Sequence, residues 1–153
     1  MVRLHPHDYE PFLSPYLMGG WRQDELVLDE LHVEPGLIRG VVHVASCFWP
    51  GDGQFHLTVP VAFIWIAQLA IIYGCWERKL PKKAVEIYVR EIQLKCKRPV
   101  RSVDAIELVL TLASRRLISE GVFYSGDISI DGDAFVGTAS FVLPLAEQQG
   151  EMT

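Results

Sequence analysis

A run of apolar residues in the middle of the chain constrains the fold more than any other feature of the sequence. From Val59 to Cys75 only Gln68 carries a strongly polar side chain. A helix that is apolar on every side has to be buried in a protein core or in a membrane. The run of about 17 residues is at the lower limit for a membrane span, and it has no basic residues on its N-terminal side. We therefore predict a buried core helix and no membrane span.

The residues next to this run indicate where the helix begins and ends. Thr58 is of a residue type that is favoured as an N-cap, and Pro60 is tolerated in the first turn of a helix. The segment "RKLPKK" at 78–83 ends the apolar pattern. The predicted helix therefore extends from about Val59 to Glu77, with Thr58 as its cap.

Alternating apolar and polar residues predict strands on both sides of the helix. The predicted strands are 25–33, 36–46, 84–98, 103–117, 118–130 and 133–145. A change of phase near Arg90 and Glu91 predicts a β-bulge, and "DGD" at 131–133 predicts a hairpin turn. Two strands, one helix and four strands predict an α+β fold in which an antiparallel sheet wraps around one long apolar helix.

Length and composition predict one globular domain. The chain has 153 residues, of which 50% are hydrophobic and 22% are charged, which is typical of a folded protein. We assign residues 1–24 to an irregular lead-in, 25–145 to the domain and 146–153 to a polar tail. The N-terminal sequence has no apolar segment of a signal peptide, and three cysteines are an odd number. These features predict reduced thiols and a cytoplasmic protein.

The charges are distributed unevenly. The net charge of −5 argues against general nucleic-acid binding, but residues 77–101 alone carry a net charge of +6. The nine basic residues of this window are Arg78, Lys79, Lys82, Lys83, Arg90, Lys95, Lys97, Arg98 and Arg101. They could attract coenzyme A phosphates or an acidic carrier protein. Alternatively, they belong to a solvated loop and to an edge strand that lysines protect from aggregation.

The segment "GQFHLTVPVAFIWIAQLA" resembles the helix of the hotdog fold in the FcoT-like fatty acyl thioesterases and, more distantly, in the FabZ-type dehydratases. The FcoT-like proteins show a Gly-x-Phe-Asn-like entry and a Gln-Leu-Ala within the helix. Gly53, Phe55 and the 68–70 triplet stand at similar places here, with a two-residue insertion. His56 replaces the expected Asn, and 48–49 (Phe-Trp) replace an expected Tyr. The later strands extend the likeness over most of residues 25–145.

This resemblance implies a homodimer with two acyl-thioester sites at the subunit interface, without a metal or another cofactor. The expected substrates are acyl groups carried by an acyl carrier protein or by coenzyme A. Relatives of this type in natural-product pathways add glycine to the β-carbon of an α,β-unsaturated acyl thioester. They then hydrolyse the thioester and release an N-carboxymethyl-3-amino acid. Glycine is therefore a candidate second substrate.

The predicted catalytic residues are Gly53, His56 and Thr58. The free amides at a helix N-terminus can polarise a thioester carbonyl placed against them, and Gly53 would allow close access. His56 could accept a proton from water or from the ammonium group of glycine, because imidazole accepts protons at neutral pH. The alternatives are a turn glycine, a loop histidine and a threonine that only caps the helix.

The predicted substrate-binding residues are Arg39, Trp49, Phe55, Trp65 and Gln68. Arg39 interrupts an apolar strand, so an inward-facing side chain would need an anionic partner such as the glycine carboxylate. An outward-facing arginine on a half-exposed strand is the alternative. The aromatic residues are candidates for the lining of the acyl site or for the core. Gln68 is expected to make a polar contact at the dimer interface or in the thioester pocket.

Several functions are disfavoured by what the sequence lacks. A dehydratase needs an acid within the helix to work with the histidine, and no acid occurs there before Glu77. The sequence has no metal-ligand spacing, Gly-rich phosphate loop or Gly-x-Ser-x-Gly motif. Two functions remain open, an acyl-thioester hydrolase and a non-catalytic module that binds acyl groups or docks a carrier protein.

Overall fold

Six strands and one long helix make up the part of the chain that the computed structural model describes, residues 24–47, 51–80 and 87–144. The elements are β1 (Glu25–Glu34), β2 (Leu37–Ser46), α1 (Val59–Glu77), β3 (Tyr88–Cys96), β4 (Ile106–Ile118), β5 (Gly121–Ile130) and β6 (Phe135–Leu143). The predicted bounds of the helix and the predicted order of elements are confirmed. The predicted tail at 146–153 and all of the predicted lead-in except Asp24 lie outside the described residues.

The six strands form one antiparallel sheet in the order β1-β2-β4-β5-β6-β3. Strand β3, which follows the helix in sequence, is at one edge, and β1 is at the other. The bulge predicted near Arg90 and Glu91 is confirmed, because the register of β3 against β6 shifts between Val89 and Glu91. The extra residue reverses the inward-facing phase, so that Ile92 and Leu94 pack toward the core.

The connections on either side of β5 differ in how well the sequence predicted them. Residues 131–133 form the predicted turn to β6, and all three have positive φ angles, from 49° to 63°. The predicted strand 118–130 began too early, since Ile118 is the last residue of β4. Ser119 and Glu120 form the turn before β5, and Gly121 follows with a φ angle of 147° that favours glycine.

Helix α1 packs across one face of the sheet. Its buried residues are Val61, Ala62, Ile66, Leu69, Ala70, Tyr73 and Gly74. They form one core cluster with inward-facing strand residues such as Ile38 and Leu108, which are fully buried. The opposite side of the helix is open, with Ile64 40% exposed and Gln68 exposed. The expectation that the sheet covers the helix on all sides therefore holds for one side only, because a single sheet contacts one side of a helix.

The apolar composition of α1 also meets the length and hydropathy criteria for a membrane span, with a mean hydropathy of 1.8. The core helix of a folded domain meets the same criteria. The packing of α1 against the sheet is that of a core helix, as the sequence predicted.

Candidate active site

His56 lies on an extended segment that leads into the helix. Its neighbours Phe55 and Leu57 are each 3% exposed and belong to the core, whereas His56 is exposed. The amide of Leu57 donates a hydrogen bond to the carbonyl of Val100 at 2.9 Å. In extended backbone successive side chains point in opposite directions, so burial of the two neighbours directs the imidazole to the surface. The surface orientation of the His56 side chain therefore follows from the local alternation of apolar and polar residues.

A tight turn precedes this segment. Gly53 has a φ angle of 68°, which L-residues with a side chain rarely adopt, and a Cβ atom built there would meet nothing within 4 Å. The conformation, rather than lack of space, is therefore what favours glycine. The Asp52 carboxylate accepts a hydrogen bond from the Gln54 amide at 3.0 Å, and Arg101 donates one to the Gln54 side chain. Asp52 thus stabilises the turn.

The helix begins directly after Thr58, which is the N-cap residue as predicted. Its backbone is extended, with φ −83° and ψ 151°, and its carbonyl accepts a hydrogen bond from the Ala62 amide at 3.0 Å. The Thr58 hydroxyl makes no capping hydrogen bond, and the first turn contains no acidic residue. The amides of Val59 and Val61 therefore have no acceptor within the helix. This end of α1 is a positively polarised surface with free donors.

A cavity of about 520 Å³ brings these features together. It is lined by His56, Leu57, Thr58, Val59, Pro60, Cys96, Lys97, Arg98, Pro99 and Phe135. The imidazole, the helix N-terminus and two cations thus share one space. Among the described residues that line it there is no carboxylate. The cavity is suited to a ligand that carries or develops negative charge.

The other predicted site residues lie elsewhere. Phe55 packs in the core and Trp65 is packed against it, so neither lines the cavity beside His56. Gln68 lies on the open side of α1. Trp49 falls outside the described residues. Of the eight predicted site residues, the structure brings His56 and Thr58 to the cavity, with the Gly53 turn immediately before them.

Arg39 is on the outer face of the sheet, away from α1. Ile38 and Val42 on the same strand are fully buried on the inner face, and Arg39 alternates with them. Its Nε donates to the Glu107 carboxylate of the neighbouring strand, and both side chains are a little over one-third exposed. The inward-facing alternative for Arg39 is therefore wrong, because the strand phase and an ion pair hold the side chain on the opposite face from His56.

Sequence reasoning found the basic segment after β3 but did not connect it to His56. Lys97 and Arg98 reach the cavity because the segment that follows β3 passes beside the start of α1, where the Leu57 amide donates to the Val100 carbonyl. Pairing between distant segments leaves no local signal. The only indication in the sequence was the local excess of positive charge.

No metal centre is indicated for the part of the chain that is described. Within residues 24–47, 51–80 and 87–144, no group of three or more His, Cys, Asp or Glu side chains is arranged to hold a metal ion. The cavity itself contributes one imidazole and one thiol, from His56 and Cys96. Its donor set therefore suits proton transfer and anion binding better than metal coordination.

Solved structures share this architecture. A variant of a thioesterase enzyme from Staphylococcus aureus gives a TM-score of 0.58 at 13% identity, over 91% of this chain and 99% of that one. A chain of a dehydratase heterocomplex from Xenorhabdus doucetiae gives a TM-score of 0.56 at 21% identity, over 78% of this chain and 83% of that one. A mutant thioesterase from Pseudomonas aeruginosa gives a TM-score of 0.51 at 15% identity, over 78% of this chain and 82% of that one.

These likenesses establish the fold. The chain has the hotdog fold, as the sequence predicted, with a six-stranded antiparallel sheet and one helix packed against it. No protein-family model matches the sequence. No curated protein matches it either. Identities of this size carry no residue roles from the neighbours, so the chemistry has to be argued from the side chains of this chain.

Proposed function

We propose that the protein is an acyl-thioester hydrolase that acts on acyl groups carried by coenzyme A or an acyl carrier protein. The observation that carries this proposal is the position of His56 in one cavity with the N-terminus of α1, where the Thr58 hydroxyl makes no capping hydrogen bond. A base and a set of oxyanion donors are the two elements that hydrolysis of a thioester requires. The thioesterases among the structural neighbours have the same fold and support this class of activity.

In the proposed reaction the thioester carbonyl lies against the free amide of Val59, which lines the cavity at the positive end of α1. His56 accepts a proton from water, and the water oxygen bonds to the carbonyl carbon. The negative charge that develops on the carbonyl oxygen is stabilised by the helix N-terminus, where each donor is worth roughly 3–4 kcal/mol in comparable sites. The carbon–sulfur bond then breaks, and the thiolate takes the proton from His56.

A second step, addition of glycine to an α,β-unsaturated acyl thioester before hydrolysis, uses the same groups. His56 would take a proton from the glycine ammonium, and the amine would bond to the β-carbon. The electrons of the double bond would move to the carbonyl oxygen at the helix N-terminus, and the α-carbon would then take the proton held by His56, which regenerates the base. The product after hydrolysis would be an N-carboxymethyl-3-amino acid of a natural-product pathway. Arg39 has no part in this proposal, because it faces away from the cavity.

We further propose that the active form is a cytoplasmic homodimer. The open side of α1 exposes apolar residues, with Ile64 40% exposed, and the edge strand β3 exposes Tyr88 at 60%. A second copy would cover apolar surface that a monomer leaves in water. Gln68 lies on the same side and would then meet the partner. Light scattering coupled to size-exclusion chromatography tests this: a mass of one chain, 17.3 kDa, would contradict the dimer.

The second candidate function is a module that binds an acyl group or docks its carrier without catalysis. One observation favours it: within the described residues, His56 makes no hydrogen bond to a group that would orient its ring. Catalytic histidines are commonly oriented by such a third group. A partner subunit could supply that group in the enzyme, whereas a binding module would not need it.

Mass spectrometry of the products from a medium-chain 2-enoyl thioester, incubated with and without glycine, tests these proposals. A glycine-dependent product that is heavier than the free enoic acid by one glycine would establish addition and release. Free acid regardless of glycine would support the hydrolase and refute glycine addition. No turnover with any chain length, together with measurable binding, would favour the module.

A further inference from the structure

The cavity next to His56 has a rim that carries uncompensated positive charge. Leu57 and Phe135 on its lining are buried, whereas Lys97 and Arg98 are exposed. The two buried residues form the floor of the cavity, and His56 and Val59 are exposed like the two cations. The cavity is therefore open to solvent, with an apolar floor and a positively charged entrance.

The backbone under the two cations is held in place. The amides of Lys97 and Arg98 both donate to the carbonyl of Ala134, at 2.8 and 3.4 Å. The Arg98 guanidinium also donates to the Asp131 carbonyl at 2.5 Å and lies 3.3 Å from the Asp131 carboxylate. Arg98 is thus fixed in position, with its charge partly offset, and it retains further N–H donors for a ligand.

Lys97 is the cation whose charge is not offset. Among the described residues no carboxylate lies within 4.0 Å of its ammonium group, in contrast to Arg98. A lysine beside a fixed arginine, at the entrance of a cavity without carboxylates, attracts an anion by its charge and by directed hydrogen bonds. The entrance therefore has a net positive charge, and the Lys97 ammonium and the Arg98 guanidinium both offer hydrogen-bond donors there.

We propose that Lys97 and Arg98 form a subsite for the phosphate group of a phosphopantetheine arm. This inference rests on the proposed function, in which the carbonyl of an acyl thioester lies beside His56 and the start of α1. Coenzyme A and acyl carrier proteins both join the thioester to a phosphate through pantetheine, so the subsite serves either carrier. The phosphate stays outside at the cationic rim while the carbonyl reaches the helix N-terminus.

The test compares one acyl group on three thiols, which are pantetheine, phosphopantetheine and coenzyme A. In the variant Lys97→Ala, kcat/KM for the phosphopantetheine and coenzyme A thioesters should fall by about fivefold, as expected for an exposed ionic contact. For the pantetheine thioester, which has no phosphate, the change should stay below about twofold. Equal losses for all three thioesters, or no loss for any, would overturn the proposal.

Lys95→Ala is the matched control. Lys95 is an exposed lysine two residues earlier on β3, on the outer face of the sheet, and it does not line the cavity. Its removal should leave the ratio of phosphopantetheine to pantetheine turnover unchanged. If Lys95→Ala reduced this ratio as much as Lys97→Ala does, a general effect of surface charge would replace the subsite.

The subsite can be tested apart from catalysis by calorimetry with phosphopantetheine and pantetheine as probes. Wild-type protein should bind phosphopantetheine about fivefold more tightly, and Lys97→Ala should abolish the difference. Turnover of the pantetheine thioester with equal affinity for both probes would refute the subsite and keep the hydrolase. Tighter binding of phosphopantetheine without any turnover would refute the hydrolase and keep the subsite. In the wild type, comparing acyl-coenzyme A with acyl-carrier protein identifies which carrier presents the phosphate.

Discussion

The hydroxyl of Tyr124 on β5 donates a hydrogen bond to the carboxylate of Glu77, the last residue of α1. Tyr124 is fully buried and stacks on Phe141 with ring centroids 5.0 Å apart. Tyr73 and Arg115 also contact the same carboxylate, at 3.5 and 3.3 Å. The helix is therefore fixed to the sheet by a polar cluster at its C-terminal end, at the opposite end from the cavity beside His56.

The first prediction concerns the ionisation of Tyr124. Burial raises the pKa of Tyr124 above its ordinary value of 10.0, and the Glu77 carboxylate raises it further. In the unfolded chain this tyrosine ionises near its ordinary value, while in the folded protein it stays protonated. The free energy of unfolding should therefore decrease as the pH rises above 10, since only the unfolded state releases the proton.

Absorbance at 295 nm as a function of pH measures this effect. One of the five tyrosines should ionise only as the protein unfolds, which circular dichroism follows in parallel. The late step should disappear in Tyr124→Phe and persist in Tyr88→Phe, since Tyr88 is 60% exposed. If all five tyrosines ionised in one step while the protein remained folded, the prediction would be wrong.

The second prediction concerns the carboxylate itself. Glu77→Ala leaves the buried Tyr124 hydroxyl without its acceptor, which should lower the free energy of unfolding by about 2 kcal/mol. Glu77→Gln keeps an acceptor oxygen and should cost less. Urea unfolding measures both variants. Glu120→Ala is the control, because Glu120 is exposed and its carboxylate contacts only the Ser119 hydroxyl at 2.8 Å and Arg90 at 3.8 Å among the described residues. A loss in the control that matched Glu77→Ala would argue against a special role for the cluster.

The third prediction concerns the residue after the helix. Lys79 has a φ angle of 54° in a motif where its amide donates to the Trp76 carbonyl and the Leu80 amide donates to the Cys75 carbonyl. Glycine adopts this left-handed conformation without the steric cost that a side chain brings, so Lys79→Gly should stabilise the protein by about 0.5–1 kcal/mol. Arg78→Gly is the control. The backbone of Arg78 is in the right-handed helical conformation, with a φ angle of −83°, so glycine at this position should destabilise the protein. Thermal unfolding of both variants checks the opposite signs.

Local signals in the sequence were sufficient for the helix and for much of the strand pattern. Thr58 and Pro60 marked the start of α1, and the change of phase at Arg90 located the bulge in β3, because caps and alternation depend on neighbouring residues. The order of strands in the sheet could not be obtained in this way. Strand β3 pairs with β6 across about 40 intervening residues, and no local pattern specifies such a partner.

The surroundings of the candidate site could be predicted only in part, again because local signals do not specify distant contacts. The exposed position of His56 beside the start of α1 could be foreseen, because its buried neighbours and the following helix are adjacent in sequence. Arg39 was ambiguous because Gly40 and Val41 allow either phase of the strand, and only the pairing of Ile38 with Leu110 places the arginine outside. Lys97 and Glu77 acquire their surroundings from distant strands, so their contacts could not be foreseen from the sequence.

The fourth prediction concerns the close pairing of β3 with β6. A Cβ atom at Gly137 would lie 1.8 Å from the carbonyl oxygen of Gln93, which belongs to the backbone and cannot move aside. Gly137→Ala should therefore destabilise the protein by more than about 3 kcal/mol, or prevent folding. Gly51→Ala should be tolerated, because a Cβ atom there meets nothing within 4 Å. A Gly137→Ala protein that unfolded at the wild-type temperature would show that the two strands are further apart.

The fifth prediction concerns His56 in the proposed reaction. Because the side chain is exposed, His56→Ala should leave the unfolding temperature unchanged, while kcat for a 2-enoyl or saturated acyl thioester should fall by at least about 100-fold through loss of the general base. His32→Ala is the matched control, since His32 is also exposed and contacts only Glu30 at 3.4 Å among the described residues. The measurement is thiol release followed with a chromogenic disulfide. Wild-type kcat in His56→Ala would mean that the helix N-terminus acts with another base, whereas a tenfold loss in both variants would point to a general change of the protein.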